Sequence, residues 1–414
     1  MSFQALGISE PLLRSVAEHG YREPTGVQIA VIPDVLRARD VWVRANTGTG
    51  KTAAFVLPIL EMLSHRELVI PRRVQALIVV PTRELAKQTA DSIAAFRRYL
   101  RQRPKTVVVL GGVSINPQMM ALRGGADIVV ATPGRLLDLV DKNALSLATV
   151  SQLVLDEADR LLELGFADEL GRIVALLPKV HQTLLFSATF GSGVARVAEP
   201  LLRAPVRIDV TGTPTDVPAI NQRAIEVDTA RRTQLLRHLL EKNDWERVLV
   251  FVATTHATEH VAAKLQGAGV NAIALHGGLS QGARTRALDL FRTANVHVLV
   301  ATDLAARGLD ITGLPAVVNY DLPRSPNDYA HRIGRTGRAG ESGVAISFLT
   351  AEMQAHFAEI ERRHQHYIVR ERVAGFEPTA TPLVSPRPAA GGVKGRRKSK
   401  KDKLREAAAR ARND

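Results

Sequence analysis

At 414 residues the chain exceeds what one hydrophobic core supports, so two domains and a short appendage are expected. The absence of cysteine excludes disulfides, thiolate metal sites and a cysteine nucleophile; no apolar run reaches membrane-spanning length, and residues 1–6 lack a basic stretch followed by an apolar core, so neither membrane nor secretory signal is expected and a cytoplasmic protein is the simplest fit. The net charge of +14 is uneven: residues 385–414 hold 11 Lys and Arg against 3 Asp and Glu, a net +8, which leaves +6 for the body and points to a polyanionic partner such as nucleic acid, the alternative being a solubilising tail.

In chain order, Ser9-Glu10-Pro11 predicts a helix start, with Leu12, Leu13, Val16 and Ala17 as its apolar face and Gly20 as its end. Glu23-Pro24-Thr25 starts a second helix carrying Gln28. Val41-Trp42-Val43 then leads through Ala45-Asn46-Thr47-Gly48-Thr49-Gly50-Lys51-Thr52 into Ala53-Ala54-Phe55-Val56-Leu57, which reads as strand, glycine-rich loop and helix. Beyond it, short β-branched runs alternate with helical patterns, the rhythm of parallel sheets with crossover helices.

Polar clusters follow the strand runs. Ala76-Leu77-Ile78-Val79-Val80 precedes Pro81-Thr82-Arg83-Glu84, Asp127-Ile128-Val129-Val130 precedes Thr132-Pro133-Gly134-Arg135, Leu153-Val154-Leu155 precedes Asp156-Glu157-Ala158-Asp159, and Leu184-Leu185-Phe186 precedes Ser187-Ala188-Thr189. In open α/β sheets ligands bind at the carboxyl ends of strands, so one edge is expected to gather these groups. The pattern loosens over 204–218, and 211–218, with two prolines and no apolar period, reads as a linker. A second alternation, with strand runs at 248–252, 272–275, 296–301, 316–320 and 344–349, predicts a second domain like the first but without its own phosphate loop. The expected division is 1–210, linker 211–218, 219–372, and a disordered basic tail at 373–414.

The chemistry follows from residue types. Gly48 and Gly50 let the backbone turn N–H groups toward an anion, Lys51 adds charge at the outer phosphates, and the Thr52 hydroxyl is placed to ligate Mg²⁺. Asp156 at a strand end is the expected metal anchor and Glu157 the general base, although acids also favour a helix first turn for its dipole alone. Arg332, Arg335 and Arg338, spaced by glycines in His331-Arg332-Ile333-Gly334-Arg335-Thr336-Gly337-Arg338, offer an arginine finger, the alternative being an exposed basic turn.

Together these motifs resemble the DEAD-box RNA helicases of superfamily 2, from Phe3 to about Leu349. Gly20-Tyr21-Arg22-Glu23-Pro24-Thr25-Gly26-Val27-Gln28 resembles the Q motif, which implies that Gln28 reads the adenine edge and Phe3 stacks on the ring. Residues 45–52 resemble the family's phosphate loop, with Asn46 in place of the usual Gln, and Asp156-Glu157-Ala158-Asp159 is the name-giving motif. The resemblance implies two tandem RecA-like domains, ATP and Mg²⁺, coupling through Ser187, Thr189, Asp159 and His331, ribose contact by Asp310, and γ-phosphate contact by Arg335 and Arg338. It places RNA contacts at Pro81, Thr82, Arg83, Gly112, Thr132, Arg135, Gly277, Arg284 and Thr302, mostly small residues and hydroxyls suited to sequence-independent backbone contact. Gly112-Val113-Ser114-Ile115-Asn116-Pro117-Gln118 and the short basic tail are most similar to the bacterial RhlE-like subgroup, which suggests ribosome-assembly or RNA-decay partners.

The expected function is therefore an ATP-dependent RNA helicase that couples hydrolysis to local unwinding or RNP remodelling. The rivals are an ATP-gated RNA clamp with little unwinding and a DNA-directed enzyme on the same fold. The tail is expected to tether RNA or to dock a partner.

Overall fold

Near-continuous runs of Val, Ile, Leu and Ala are what a parallel sheet covered on both faces requires, because every side chain there meets a helix instead of water. The computed structural model, which describes residues 1–45, 48–67, 69–210, 220–306, 311, 313–337 and 343–379, turns these runs into fourteen strands. They are β1 Val41–Ala45, β2 Ala76–Val79, β3 Thr106–Val109, β4 Ile128–Ala131, β5 Gln152–Leu155, β6 Gln182–Ser187, β7 Val206–Val210, β8 Ile220–Glu226, β9 Val248–Val252, β10 Ala272–Leu275, β11 Val298–Thr302, β12 Ala316–Asn319, β13 Gly343–Leu349 and β14 Arg370–Glu371.

Two seven-stranded parallel sheets result, in the orders β3-β4-β2-β5-β6-β1-β7 and β10-β11-β9-β12-β13-β8-β14. The second order repeats the first with every strand number raised by seven, so the fold is two tandem RecA-like domains. Strand periodicity divides each core between two faces. In the first sheet Val41, Val43, Ala76 and Ile78 pack on one side, and Trp42, Leu77 and Val79 on the other.

Several expectations change. β3 is a strand that the polar-cluster pattern passed over, and β7 lies inside the loosened stretch, because as an edge strand it buries only Ile208 and shows little apolar alternation. The packed chain also runs past 372. Val373 and Phe376 pack against the second core, the Phe376 ring lies 5.3 Å from His238, and Thr379 N–H donates to Asp228 at 2.9 Å. One Phe in a polar sequence has no period to detect, so composition placed the start of the tail too early. The linker at 211–218 and the tail from 380 onward lie outside the described residues.

Candidate functional site

The phosphate loop joins β1 to the helix Lys51–Ser64, and its geometry is set by the helix in front of it. Thr25 and Gln28 form a capping box at the start of the helix Gly26–Leu36, and both then reach the loop: Thr25 Oγ1 donates to the Thr49 carbonyl at 2.8 Å and Gln28 Nε2 to the Gly50 carbonyl at 3.2 Å. Gly50 is required twice over. Its φ is +87°, and a Cβ there would stand 2.4 Å from Gln28 Nε2. Lys51, largely buried, donates from Nζ to the Ala45 carbonyl at 3.0 Å across the loop.

Asp156 sits at the end of β5 with its carboxylate accepting from Glu157 N–H at 2.9 Å, and burial pushes this carboxyl up to about 6 against the opposing pull of Lys51. Glu157 holds a left-handed backbone, φ 52°, ψ 51°, in a non-glycine residue, which is the kind of conformation that clusters at functional sites. Asp159 accepts from Ala188 N–H at 3.0 Å, and Ser187 Oγ accepts from Thr189 N–H at 3.2 Å, so the Asp-Glu-Ala-Asp and Ser-Ala-Thr segments are joined directly. From the second domain, the His331 imidazole feels the Glu157 and Asp159 charges, but burial still holds its pKa below the ordinary value.

One cavity of about 640 Å³ gathers the expected nucleotide groups: Gly48, Gly50, Lys51, Thr52, Asp156 and Glu157 from the first domain and Arg335 from the second. Of the oxygen groups lining it, the Asp156 carboxylate and the Thr52 hydroxyl are the ones expected to hold a cation, beside the Glu157 carboxylate. Among the described residues no group of three or more His, Cys, Asp and Glu forms a metal cage. A hard cation that keeps water and takes the rest of its ligands from phosphate oxygens, as Mg²⁺ does, fits such a sparse donor set.

Three residues depart from their expected places. Phe3 is 4% exposed and packs in the first domain's core with Leu6 and Val31, whereas Tyr21 lines the cavity. Arg332 is 2% exposed and locked by Asp303 at 2.5 and 2.7 Å, by the Asn319 and Asp321 oxygens, and by the Phe251 ring, which makes it a brace within the second domain. Gln28 is fully buried with Oε1 taken by Thr25 N–H, so an adenine edge would have to share its amide with the loop. Asp310 and Arg338 lie outside the described residues.

The groups expected to touch RNA lie at the carboxyl ends of the strands in both domains. Pro81 and Thr82 follow β2, and Thr82 Oγ1 caps the helix Arg83–Phe96 by accepting from Leu85 N–H at 3.2 Å. Thr132 Oγ1 accepts from Gly111 N–H at 3.2 Å, and Arg135 donates to the Val113 carbonyl at 2.9 Å while its Nη1 is buried without a partner among the described residues. Gly112, φ +70°, lets the Arg83 guanidinium lie flat against it. Gly277 follows β10 and Thr302 ends β11.

Arg284 does something else. Its Nη2 lies 2.9 Å from Glu84 Oε1 in the opposite domain, both side chains under a tenth exposed, and Gln281 adds a second contact between the domains by accepting from Arg83 at 3.2 Å and donating to Glu84 at 3.4 Å. Burial lowers the Arg284 pKa while Glu84 pulls the other way. Glu84 had no role assigned from sequence. The only signal was its place beside Arg83, since nothing in one chain says which side chain will face it across a cleft.

A family model described as "DEAD/DEAH box helicase" matches residues 25–197, and one described as "Helicase conserved C-terminal domain" matches 231–340. DEAD-box ATP-dependent RNA helicase CshA of Bacillus cereus (strain ATCC 10987 / NRS 248) is 40% identical over 362 residues, covering 87% of this chain and 68% of the relative. The chain belongs to the DEAD-box ATP-dependent RNA helicases. ATP-dependent rRNA helicase rrp3 of Sclerotinia sclerotiorum is likewise 40% identical, over 91% of the helicase and 78% of the relative. Neither name distinguishes the RhlE-like subgroup. Among solved structures, S. cerevisiae Dbp5 bound to RNA and ADP BeF3 superposes on the helicase with TM-score 0.78 and 32% identity, covering 91% and 95% of the two chains. A Dbp5 variant bound to gle1 and ip6 scores 0.71, and one bound to nup159, gle1, ip6 and adp scores 0.61. Of these three, the form bound to RNA and ADP BeF3 superposes with the highest TM-score.

Proposed function

We propose that this ATP-dependent RNA helicase completes its ATPase site by closing two domains on RNA and ATP, and that the closure itself separates short duplex segments. The observation that carries this is the single cavity in which Lys51, Thr52, Asp156 and Glu157 meet Arg335 from the other domain. Lys51 leaves the Ala45 carbonyl for the β- and γ-phosphates, Gly48 and Gly50 present backbone N–H groups to them, and Tyr21 stacks on the adenine, with Gln28 at its edge. Thr52 and Asp156 would hold Mg²⁺, which when bound would neutralise charge on the phosphate oxygens. Glu157 takes the proton of the attacking water, and Arg335 meets the charge that spreads over the γ-phosphoryl oxygens, with Arg338 and Asp310 as further contacts.

His331, within the electrostatic reach of Glu157 and Asp159, and Asp159, bonded to Ala188, link the reacting centre to the Ser187-Thr189 loop. We assign coupling to this link, so that hydrolysis loosens closure and releases RNA. Pro81, Thr82, Arg83, Gly112, Thr132 and Arg135 in the first domain and Gly277 and Thr302 in the second hold a bent single strand by its backbone, and the unpartnered Arg135 Nη1 is suited to a phosphate oxygen. In this scheme the first domain is 1–210, the linker 211–218, and the second domain begins at 219 and runs to at least 379; the protein is cytoplasmic, the tail tethers RNA, and ribosome assembly or RNA decay supplies the substrates. The decisive experiment is Glu157→Gln, which should bind ATP and RNA normally but hydrolyse more than about a hundredfold slower. Wild-type turnover in that variant would remove the assigned base.

A further inference from the structure

The first sheet carries a second charged face that the helicase site does not use. Loops 70–75, 97–106 and 122–128 lead into β2, β3 and β4, three adjacent strands, and therefore lie at their amino ends, opposite the cleft. They hold eight Lys and Arg (Arg72, Arg73, Arg97, Arg98, Arg101, Arg103, Lys105 and Arg123) against one acid, Asp127. Their net +7 exceeds the +6 of all residues 1–384, so the rest of the folded chain is close to neutral and the positive charge of the body is this surface.

The surface is built. Asp127 accepts from Lys105 N–H at 2.6 Å and from Arg72, Lys105 Nζ donates to the Arg123 carbonyl at 2.9 Å, and Arg72 N–H to the Gly124 carbonyl at 3.0 Å. A Cβ on Gly125, φ +79°, would collide with the Arg72 carbonyl at 1.8 Å, so the loops are interlocked. Arg97 lies among them, its pKa lowered first by burial and then by the Arg103 and Arg72 charges. Glu18 engages Arg98 and the Tyr99 hydroxyl, and Arg14 covers the Tyr99 ring at 4.0 Å. The side chains of Arg73, Arg101, Arg103 and Arg123 are exposed and have no hydrogen-bond or ion-pair partner among the described residues. Clustering like charge in this way costs self-repulsion that Asp127 and Glu18 offset only in part, and a polyanion would relieve the rest.

We infer that this face is a second RNA site, which grips the phosphate backbone of a folded or duplex segment while the cleft works on a neighbouring strand. The ligand class rests on the RNA reading above. Arginine forks match phosphate oxygens, and the one aromatic ring present is already covered by cations, so the surface offers backbone contact without base stacking. β2 has four residues at about 3.3 Å each, so the two sites sit roughly 13 Å or more apart on opposite ends of the same strands. A single strand held in the cleft does not lie across both, and the face recruits structured RNA without taking part in hydrolysis.

The test uses the full chain with Arg73→Ala, Arg101→Ala, Arg103→Ala and Arg123→Ala combined. Binding of a blunt RNA duplex of about 20 base pairs, read by anisotropy, should weaken at least about tenfold, and its log–log salt slope should fall by about 3 to 4, near 0.9 for each phosphate no longer neutralised. Hydrolysis stimulated by a strand of about ten nucleotides, which fills only the cleft, should keep its half-saturation and turnover. Unchanged duplex affinity, or an equal weakening with the short strand, would overturn the proposal. So would loss of poly-L-glutamate binding with duplex binding intact, since that would make the face a protein-docking site. Anisotropy is independent of hydrolysis, so a wild type that RNA failed to stimulate would sink the helicase reading and still leave the duplex comparison decisive.

Discussion

The Glu84–Arg284 pair should set how readily the cleft closes. Two unit charges about 4 Å apart attract by about 4 kcal/mol at an effective dielectric of 20, and desolvating both on closure removes part of that gain. Couplings across interfaces run from about 1.5 kcal/mol upward for close charged pairs, so a net contribution of about 2 kcal/mol is reasonable, or roughly a thirtyfold change in the closing equilibrium. Glu84→Ala or Arg284→Ala should each lose at least that much, because the remaining partner is buried without its counter-charge at 2.9 Å. The assay is interdomain energy transfer on doubly labelled protein with RNA and a nonhydrolysable ATP analogue, run as a double-mutant cycle beside RNA-stimulated hydrolysis. Glu84→Arg with Arg284→Glu should recover much of the closure. Additive single effects, with a coupling below about 0.5 kcal/mol, would refute the pair as a latch and return Arg284 to the RNA contacts.

Lys51→Ala and Arg335→Ala should both abolish hydrolysis, but only the first should strongly weaken nucleotide binding; equal affinities by titration would count against that division. Phe3→Ala should cost about 3 kcal/mol of stability in denaturant with ATP affinity unchanged, since it empties a core site, whereas Tyr21→Ala should weaken ATP binding by about 1 kcal/mol, roughly fivefold. A swap of those two outcomes would restore Phe3 as the base-stacking ring. Deleting 385–414 should lower the salt slope of single-stranded RNA binding by about 0.7 for each phosphate the tail had neutralised, and an unchanged slope would favour a purely solubilising tail.

Local patterns were legible because their causes are local. The glycines, Lys51 and Thr52 must be contiguous to wrap a phosphate, and Asp156-Glu157 must follow a buried strand to reach the same edge, so both sites can be read along the chain. The partners that Arg284, Arg332 and Phe3 meet could not be read along the chain, for the opposite reason. An arginine on a polar helix face looks the same whether it meets phosphate, Glu84 or Asp303, and an aromatic ring near the start of the chain looks the same stacked on a base or buried against Leu6. β7 and the packed residues 373–379 escaped because edge elements need no continuous apolar run.

By itself, then, the sequence determined two α/β domains, a phosphate loop in the first of them, and a basic chain suited to RNA, since hydrophobic period, turn glycines and charge all act over a few residues. Only the tertiary structure decided which cation meets which anion. It set Arg335 into the cavity of Lys51 and Glu157, paired Arg284 with Glu84 across the cleft, and assembled three separate loops into one cationic face, because strand order brings together residues that have no relation along the chain.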